Sequence, residues 1–241
     1  MKQAEQPKSH ELFNKDAEVN RGYLYTDNRQ LSCRLATQRW CDTILETGRL
    51  EGRSVLDAAC GDGFMTVRYW DSGRPSRMVA TDLAAESVRC AARRCGDRMI
   101  RFLTSDGYKL PFADNAFDVV LLNAVLHHVD DPAGMMREAL RVAPAIIILE
   151  PNGANPGLKV LEKTLPYHIE HGEKSYRAGL MKRWIREAGA SVTFEKKAGF
   201  VPMFCPDWMA RTMKFLEPAV ERIWPVNSLA CAIYVMVAVR K

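Results

Sequence analysis

The sequence predicts an α/β protein in which a parallel sheet is covered by helices. Short apolar segments alternate with amphipathic segments between residues 54 and 150, and the apolar segments read as strands that are buried on both faces. No internal repeat or long linker interrupts the 241 residues, of which 47% are hydrophobic and 26% are charged. A chain of this size can bury one large core, so we expect a single domain over residues 1–241.

The elements follow one another in a regular order. Residues 1–28 are polar and predict a loosely attached arm, and Arg29–Thr47 has apolar residues at helical spacing before Gly48, which can end a helix. The predicted strands are Ser54–Ala58, Met78–Asp82, Ile100–Thr104, Phe117–Asn123 and Ala145–Glu150, followed by Ala190–Glu195 and Ala230–Val239. The predicted helices between them lie near 64–72, 84–95 and 132–142. This order is typical of strand–helix–strand repetition.

Composition excludes several classes of protein. The 34 Lys and Arg residues against 29 Asp and Glu residues give a net charge of +5, and the basic residues are scattered, so no nucleic-acid partner is expected. Seven cysteines without a Cys-x-x-Cys pair predict neither a zinc site nor a disulfide framework. The N-terminal stretch is polar and the longest apolar run, 229–239, is too short for a membrane span. We therefore expect a cytoplasmic protein with no membrane span.

The segment Val55-Leu-Asp-Ala-Ala-Cys-Gly-Asp-Gly-Phe64 carries the clearest functional signal. A strand ends here in a turn that contains Gly61 and Gly63, and a helix follows. Small residues let a ligand approach the backbone, and a helix N-terminus offers N–H groups to an anion. Asp82 ends the next strand beside this turn, where its carboxylate can accept hydrogen bonds from a ribose diol. The alternatives are a merely tight turn, and a helix N-cap at Asp82 for the segment that starts near Ala84.

Two cofactor classes use a glycine turn together with an acid on the second strand. A dinucleotide fingerprint requires Gly-x-Gly-x-x-Gly, and the segment Gly61–Thr66 lacks the third glycine. The carboxylates of Asp57 and Asp62 suit a ligand with an ammonium group and a sulfonium better than they suit a pyrophosphate. The residues therefore favour S-adenosylmethionine, and a nicotinamide dehydrogenase remains an alternative.

Five segments, in this order, resemble motifs of class I S-adenosylmethionine-dependent methyltransferases. The first three matches are Val55-Leu-Asp-Ala-Ala-Cys-Gly-Asp-Gly, Thr81-Asp-Leu83 and the segment 104–120, which covers two motifs. Asn123-Ala-Val-Leu-His-His-Val-Asp-Asp-Pro132 and Leu149-Glu-Pro151 are similar to the subgroup that contains the ubiquinone/menaquinone C-methyltransferases and many small-molecule methyltransferases. The resemblance implies a Rossmann-like three-layer sandwich whose seven-stranded, mostly parallel sheet has an antiparallel last strand.

The resemblance also implies a role for each matching position. Asp57 would hold the methionine amino group, Asp82 the ribose hydroxyls and Asp106 the adenine amine. The other implied cofactor contacts are Ala59, Cys60, Gly61, Gly63, Leu83, Gly107 and Asn123. Ala59 departs from the family, which often has glycine there. Residues 1–48 would then form an arm and a helix, 49–151 the cofactor-binding core, and 152–241 the substrate-facing part.

His127 and His128 follow the fourth strand at the edge where the cofactor is expected. Histidine titrates near neutral pH, so one of them could deprotonate an acceptor hydroxyl, with His128 placed ahead of His127. The alternative is a structural pair that opens a helix. Glu150, at the end of the fifth strand, is open to three roles: base, substrate contact or backbone cap. No metal is expected, because the His and Glu residues between 168 and 173 lack the zincin spacing and fit a polar loop or lid better.

The C-terminal part carries many aromatic and methionine residues between 198 and 225. Their ordinary role is packing against the sheet. The alternative is an adaptable apolar cap over a hydrophobic substrate, which Tyr23 and Tyr25 of the arm could close from the other side. A helix is expected to start near Asp207, after Pro206.

The function expected from these residues is methyl transfer from S-adenosylmethionine to a small, partly apolar acceptor. The segment Asn123–Leu126 lacks the Asn/Asp-Pro-Pro-Tyr/Phe pattern of DNA adenine and protein glutamine methyltransferases. An RNA or protein methyltransferase, and a regulatory protein that binds the cofactor without turnover, remain alternatives. The sequence leaves the acceptor, the methylated atom and the oligomeric state open.

Overall fold

The computed structural model describes residues 9–20, 22–23, 26, 29–164, 169, 172 and 174–241. Its strands are β1 Ser54–Ala58, β2 Arg77–Asp82, β3 Ile100–Thr104, β4 Val119–Asn123, β5 Ala145–Pro151, β6 Ala190–Ala198 and β7 Ile233–Arg240. Its helices are α1 Ser9–Asn20, α2 Leu31–Gly48, α3 Phe64–Gly73, α4 Ala85–Cys95, α5 Pro132–Val142, α6 Pro156–Thr164, α7 Ala178–Glu187, α8 Asp207–Arg222 and α9 Val226–Ala230.

The strands form one sheet in the order β3-β2-β1-β4-β5-β7-β6. The first five strands pair in parallel, and β7 runs antiparallel between β5 and β6. This topology confirms the predicted seven-stranded, mostly parallel sheet with an antiparallel last strand. The strands β2 and β3 are added on one side of β1, and β4 and β5 are added on the other side, so the strand order reverses between β1 and β4. Ligands bind at such a switch point, outside the carboxyl ends of the strands.

Successive residues of the central strands enter two different cores. On β4, Val120 and Leu122 pack into a cluster with residues of α5 and α7, whereas Val119 and Leu121 pack into a second cluster with residues of α2 and α3. Side chains alternate between the faces of a strand, and here both faces are covered. This explains why the central strands are continuous apolar runs.

The N-terminal arm differs from its prediction. Residues 9–20 form α1, which packs against α4 and buries Leu12 and Ala17. The side-chain oxygen of Asn14 also accepts a hydrogen bond of 3.0 Å from the N–H of Glu86 in the first turn of α4. The expectation of a loosely attached arm is therefore wrong for these residues, because a few small contacts suffice to anchor a helix with little apolar surface.

The C-terminal part agrees with the prediction in one element and differs from it in two. Helix α8 starts at Asp207, as expected. The segment predicted to begin the last strand at Ala230 instead ends the short helix α9, and β7 starts at Ile233. The strand β6 is longer than predicted and continues to Ala198.

Ion pairs attach α8 to the rest of the domain. Arg39 of α2 donates two hydrogen bonds to Glu221, from Nε at 2.7 Å and from Nη2 at 2.6 Å. Glu221 also accepts from the N–H of Gly199, and the buried Glu217 accepts from the N–H of Phe200. These contacts place the loop after β6 beneath α8.

Removing Arg39 from its ion pair with Glu221 should leave the buried charge of Glu221 without compensation. We expect Arg39→Met to lower the free energy of unfolding by about 3 kcal/mol, measured by urea denaturation. The matched control is Arg137→Met, which breaks an exposed 3.2 Å pair with Asp131 and should cost less than about 1 kcal/mol. Equal losses in the two variants would contradict the anchoring role of Arg39.

Candidate functional site

A cavity of about 1520 Å³ opens at the carboxyl edge of the sheet. It begins at the turn after β1 and extends to α6, to the loop that follows β6 and to α8. Ligand pockets usually measure about 300–1,000 Å³, so this cavity has room for a cofactor and a second molecule.

The turn after β1 contains three residues in the left-handed backbone conformation, which few residue types adopt. Ala59, Gly61 and Gly63 have φ values of 66°, 56° and 74°. The N–H of Gly61 donates to the Oδ2 atom of Asp82 at 2.8 Å, so the turn is tied to the end of β2. An alanine is held here in a left-handed conformation, which costs free energy and indicates that the surrounding contacts determine the turn.

Both side-chain oxygens of Asp82 accept hydrogen bonds from the backbone. Its Oδ1 atom accepts from the N–H of Ala84 at 2.8 Å, just before α4, and its Oδ2 atom accepts from Gly61. Burial raises the pKa of this carboxyl, although backbone hydrogen bonds from Ala84, Gly61 and Leu83 oppose the shift. A carboxylate has about four acceptor positions, so acceptor capacity remains for a ligand hydroxyl.

Asp57 lies fully buried beneath the turn. Its Oδ2 atom accepts from the hydroxyl of Thr66 at 2.6 Å, whereas Oδ1 has no hydrogen-bond partner within the described part of the chain. Burial raises the pKa of Asp57 to about 7, with the Thr66 hydroxyl opposing this shift and the charge of Asp82 adding to it. A ligand ammonium would compensate the buried carboxylate.

Asp62 does not share this role. Its Oδ2 atom is 2.9 Å from Nη2 of Arg94 and accepts from the hydroxyl of Thr26 at 2.6 Å and the N–H of Tyr23 at 3.2 Å. The expectation that Asp62 attracts a cationic ligand is therefore wrong, because its charge is paired inside the protein. It instead holds the arm against the turn.

The arm covers the cofactor end of the cavity through Tyr23. A Cβ atom at Gly61 would lie 2.6 Å from Cε2 of the Tyr23 ring, so the ring packs directly on this glycine. The Tyr23 hydroxyl and the Ser87 hydroxyl are 2.7 Å apart and form a hydrogen bond. Tyr23 lines the cavity as expected of the arm, and Tyr25 lies outside the described residues.

The structure brings most of the predicted cofactor residues to this cavity. Those that line it are Asp57, Ala59, Cys60, Gly61, Asp82, Leu83, Asp106, Gly107 and Asn123. Gly63 is the exception. A Cβ atom there would lie 2.7 Å from the Cβ atom of Ala91, so Gly63 permits the close approach of α4 rather than lining the cavity.

Comparisons with known proteins agree with this geometry. Residues 56–145 match the family model of a methyltransferase domain. Demethylmenaquinone methyltransferase of Renibacterium salmoninarum is 36% identical over 107 residues, which are 44% of each protein. The matches span about half or less of the length of this and the next two curated relatives.

Two solved structures share the fold. A possible histamine N-methyltransferase of Thermotoga maritima has a TM-score of 0.69 at 15% identity, covering 97% of this chain and 100% of that one. Magnesium protoporphyrin IX methyltransferase of Synechocystis with bound S-adenosylhomocysteine has a TM-score of 0.67 at 17% identity, covering 96% and 98%. Residues 56–145 are therefore similar to a methyltransferase domain, and the chain shares the fold of S-adenosylmethionine-dependent methyltransferases.

A second structure of magnesium protoporphyrin IX methyltransferase holds S-adenosylmethionine. The residues present in this chain fit that molecule. The Oδ1 atom of Asp57 is a buried acceptor that needs a donor, and an ammonium group supplies one. The side-chain oxygen of Asn123 is a second buried acceptor with no partner among the described residues, and it lies at the end of β4.

The structure places a histidine–carboxylate pair next to this position. Residues Leu126–His128 form one turn of 3₁₀ helix after β4. The buried Glu150 accepts from the N–H groups of Val125 and Leu126 at 2.9 and 2.8 Å through Oε1, and its Oε2 atom is 2.6 Å from Nδ1 of His127. Of the three roles open to Glu150, the structure shows the backbone cap, and it adds the orientation of His127, which the sequence did not predict.

The far half of the cavity has apolar walls. Four of the aromatic and methionine residues between 198 and 225 line it: Phe200, Met203, Phe204 and Met213. Leu158 and Leu161 of α6 form the facing wall. Trp208, Phe215 and Trp224 are instead 71%, 84% and 78% exposed, so packing against the sheet is wrong for these three.

Within the described residues, no group of three or more His, Cys, Asp or Glu side chains is placed to hold a metal ion. His168, Glu170, His171 and Glu173 lie outside the described residues. Among the helices of the described part of the chain, none has the length and apolar composition needed to cross a membrane.

The cofactor role of Asp82 can be tested by truncation. We expect Asp82→Ala to weaken S-adenosylmethionine binding by about 3 kcal/mol, or roughly a hundredfold, in isothermal titration calorimetry, because charged hydrogen bonds to the ribose are lost. Asp118→Ala is the control, since that carboxylate also accepts from a backbone N–H, of Ser54, but at the opposite edge of the sheet. Unchanged affinity in Asp82→Ala would remove this residue from the site.

The raised pKa of Asp57 predicts a pH-dependent affinity. The ligand ammonium favours the ionised carboxylate, so binding below a pH of about 7 must release the proton that Asp57 carries in the free protein. Affinity for S-adenosylmethionine should therefore fall by about tenfold between pH 8 and pH 6 and level off above about 7. The affinity of Asp57→Asn should be lower than that of the wild type at every pH, and most of the dependence of affinity on pH should be absent. A variant that kept the full slope would exclude Asp57 as its source.

Proposed function

We propose that this protein transfers a methyl group from S-adenosylmethionine to a small, partly apolar acceptor. The observation that carries the proposal is the continuous cavity, which joins the carboxylates of the cofactor end to the apolar walls of α6 and α8. The similar proteins named above include a demethylmenaquinone methyltransferase and a magnesium protoporphyrin IX methyltransferase, which supports an acceptor with a large apolar part. Residues 152–241 would then select the acceptor.

The cofactor end of the cavity binds S-adenosylmethionine and orients it. Bound S-adenosylmethionine supplies a methyl group that its sulfonium already activates, so the main task of the protein is to hold the acceptor in line with it. Asp57 holds the ammonium, Asp82 the ribose and Asp106 the adenine. The remaining contacts of the proposed cofactor site are Ala59, Cys60, Gly61, Leu83, Gly107 and Asn123. Gly63 supports the turn from behind.

We assign the proton-accepting role to His127, with His128 as the alternative. Both histidines line the cavity, and their ring centroids are 3.9 Å apart. Because Nδ1 of His127 faces the buried Glu150 carboxylate, the second ring nitrogen, Nε2, is the atom that would take a proton from the acceptor. Glu150 would stabilise the imidazolium that forms, as a carboxylate does beside a catalytic histidine.

The apolar walls weigh against the first alternative function. An RNA substrate binds through basic and stacking surfaces, whereas the far half of this cavity is lined by Met and Phe side chains. A regulatory protein that binds S-adenosylmethionine without turnover would have the same cofactor end, and only an activity measurement separates it from an enzyme.

The direct test of the function is untargeted mass spectrometry of host extract incubated with methyl-labelled S-adenosylmethionine. We expect the wild type to label a small molecule that partitions into organic solvent, and Asp82→Ala to label it far more weakly. Label that appears in RNA or protein would support the alternative substrates instead. Retained cofactor binding with no labelled product would favour the regulatory protein.

The histidine assignment predicts a separation of turnover from binding. With an acceptor that must lose a proton, His127→Ala should lower kcat by about a hundredfold or more, while the affinity for S-adenosylmethionine changes less than about twofold. Glu150→Gln keeps an oxygen that accepts hydrogen bonds from the backbone but loses the negative charge. Its kcat should therefore lie between the kcat of the wild type and that of His127→Ala. A larger effect in His128→Ala than in His127→Ala would transfer the role to His128.

A further inference from the structure

Helix α8 has its polarity reversed relative to an ordinary surface helix. Its acidic residues Glu217 and Glu221 face the protein, whereas Trp208 and Phe215, seven residues apart and so on one face, point outward. Their side chains are 71% and 84% exposed. Ion pairs attach this helix to the domain, and its aromatic side chains remain exposed to solvent. Exposed aromatic side chains of this kind mark a surface that contacts a partner.

The apolar surface continues beyond the end of α8. We call it the α8–α9 face and define it by Trp208, Phe215, Ile223, Trp224, Val226 and Leu229, all of which are at least 41% exposed. Helix α6 packs against α9 and exposes Val160. The residues of the α8–α9 face run from α8 through the connecting segment into α9.

The charges on this face are positive. Arg211 follows Trp208 by three residues and Arg222 follows Phe215 by seven, so both share the outward side of α8, and both are exposed. Neither forms an ion pair within the part of the chain that the structure describes. The acidic residues Glu217 and Glu221 of the helix are engaged inward by Lys214 and Arg39, which leaves Asp207 at the N-terminus as the exposed acid of α8.

Helix α8 connects the face to the acceptor half of the cavity. Met213 of α8 lines the cavity, whereas Trp208 and Phe215 of the same helix are exposed. Val160 of α6 also lines the cavity and is 59% exposed. The face and the acceptor half of the cavity therefore share one helix.

We propose that the α8–α9 face docks on the surface of an anionic lipid bilayer. Trp and Phe side chains suit the boundary between headgroups and acyl chains, and Arg side chains bind anionic headgroups. A second copy of the chain is a poorer partner, because Arg211 and Arg222 outnumber the exposed Asp207 on each copy, so two such faces carry the same net charge. In addition, and resting on the proposed function, docking would bring the acceptor cavity to the bilayer, from which an apolar acceptor could enter.

Vesicle co-sedimentation of the full chain tests the proposal. We expect binding to vesicles of phosphatidylcholine mixed with phosphatidylglycerol, and weaker binding to phosphatidylcholine alone. The double variant Trp208→Ser/Phe215→Ser should bind the mixed vesicles about tenfold or more weakly. Arg211→Gln/Arg222→Gln should lose about tenfold or more on mixed vesicles and little on neutral ones. The control is Met99→Ser, which removes an apolar side chain that is 82% exposed just before β3, at the opposite edge of the sheet.

Two outcomes would overturn the proposal. The first is an absence of vesicle binding, or binding that the Trp208→Ser/Phe215→Ser variant retains in full. The second is concentration-dependent self-association in sedimentation equilibrium that this variant abolishes, since the face would then belong to a second copy. Thermal unfolding of each variant establishes that it is folded. Vesicle binding is measured without S-adenosylmethionine, so a failure of docking and a failure of methyl transfer are observed separately.

Discussion

The site depends on how the protein accommodates three carboxylates around one turn. Asp82 is compensated by two backbone N–H groups, one of which, from Gly61, holds the turn in its left-handed conformation. Asp62 is compensated by Arg94 and by hydrogen bonds from the arm. Asp57 has only the Thr66 hydroxyl, and burial raises its pKa to about 7. We therefore propose Asp57 as the carboxylate that a cationic ligand completes, whereas Asp62 holds the arm and Asp82 ties the turn to β2.

Much of the fold and of the cofactor end could be predicted from the sequence, because the information is local. A strand buried on both faces must be a continuous apolar run, and parallel strands that end in small or acidic residues bring those residues to one edge. The roles of Asp62 and Gly63 could not be predicted in this way. The partner of Asp62, Arg94, is 32 residues away on α4, and Gly63 is needed to accommodate Ala91 of the same helix. The packing of one helix against the turn decides both.

The same limit applies to His127 and to α8. Sequence places both histidines at the edge of the sheet but does not show which one contacts Glu150, 23 residues beyond His127. On α8, hydrophobic periodicity places Met209, Met213 and Leu216 on one stripe, and Met213 does line the cavity. Periodicity does not reveal that Arg39, 182 residues before Glu221, forms a paired hydrogen bond with it. A buried charge without its partner is strongly unfavourable, so this pair helps to fix which side of α8 faces the protein.

The two ends of the cavity are therefore built by different interactions, and this difference bears on specificity. Charged and backbone hydrogen bonds, which are directional and tolerate little change in geometry, form the cofactor end. Met, Leu and Phe side chains, which adapt to ligands of different shape, form the acceptor end. The family match ends at residue 145, before α6, the loop after β6 and α8 begin. Similarity to known methyltransferases accordingly identifies the cofactor end, whereas the acceptor must be deduced from the apolar walls and from the α8–α9 face.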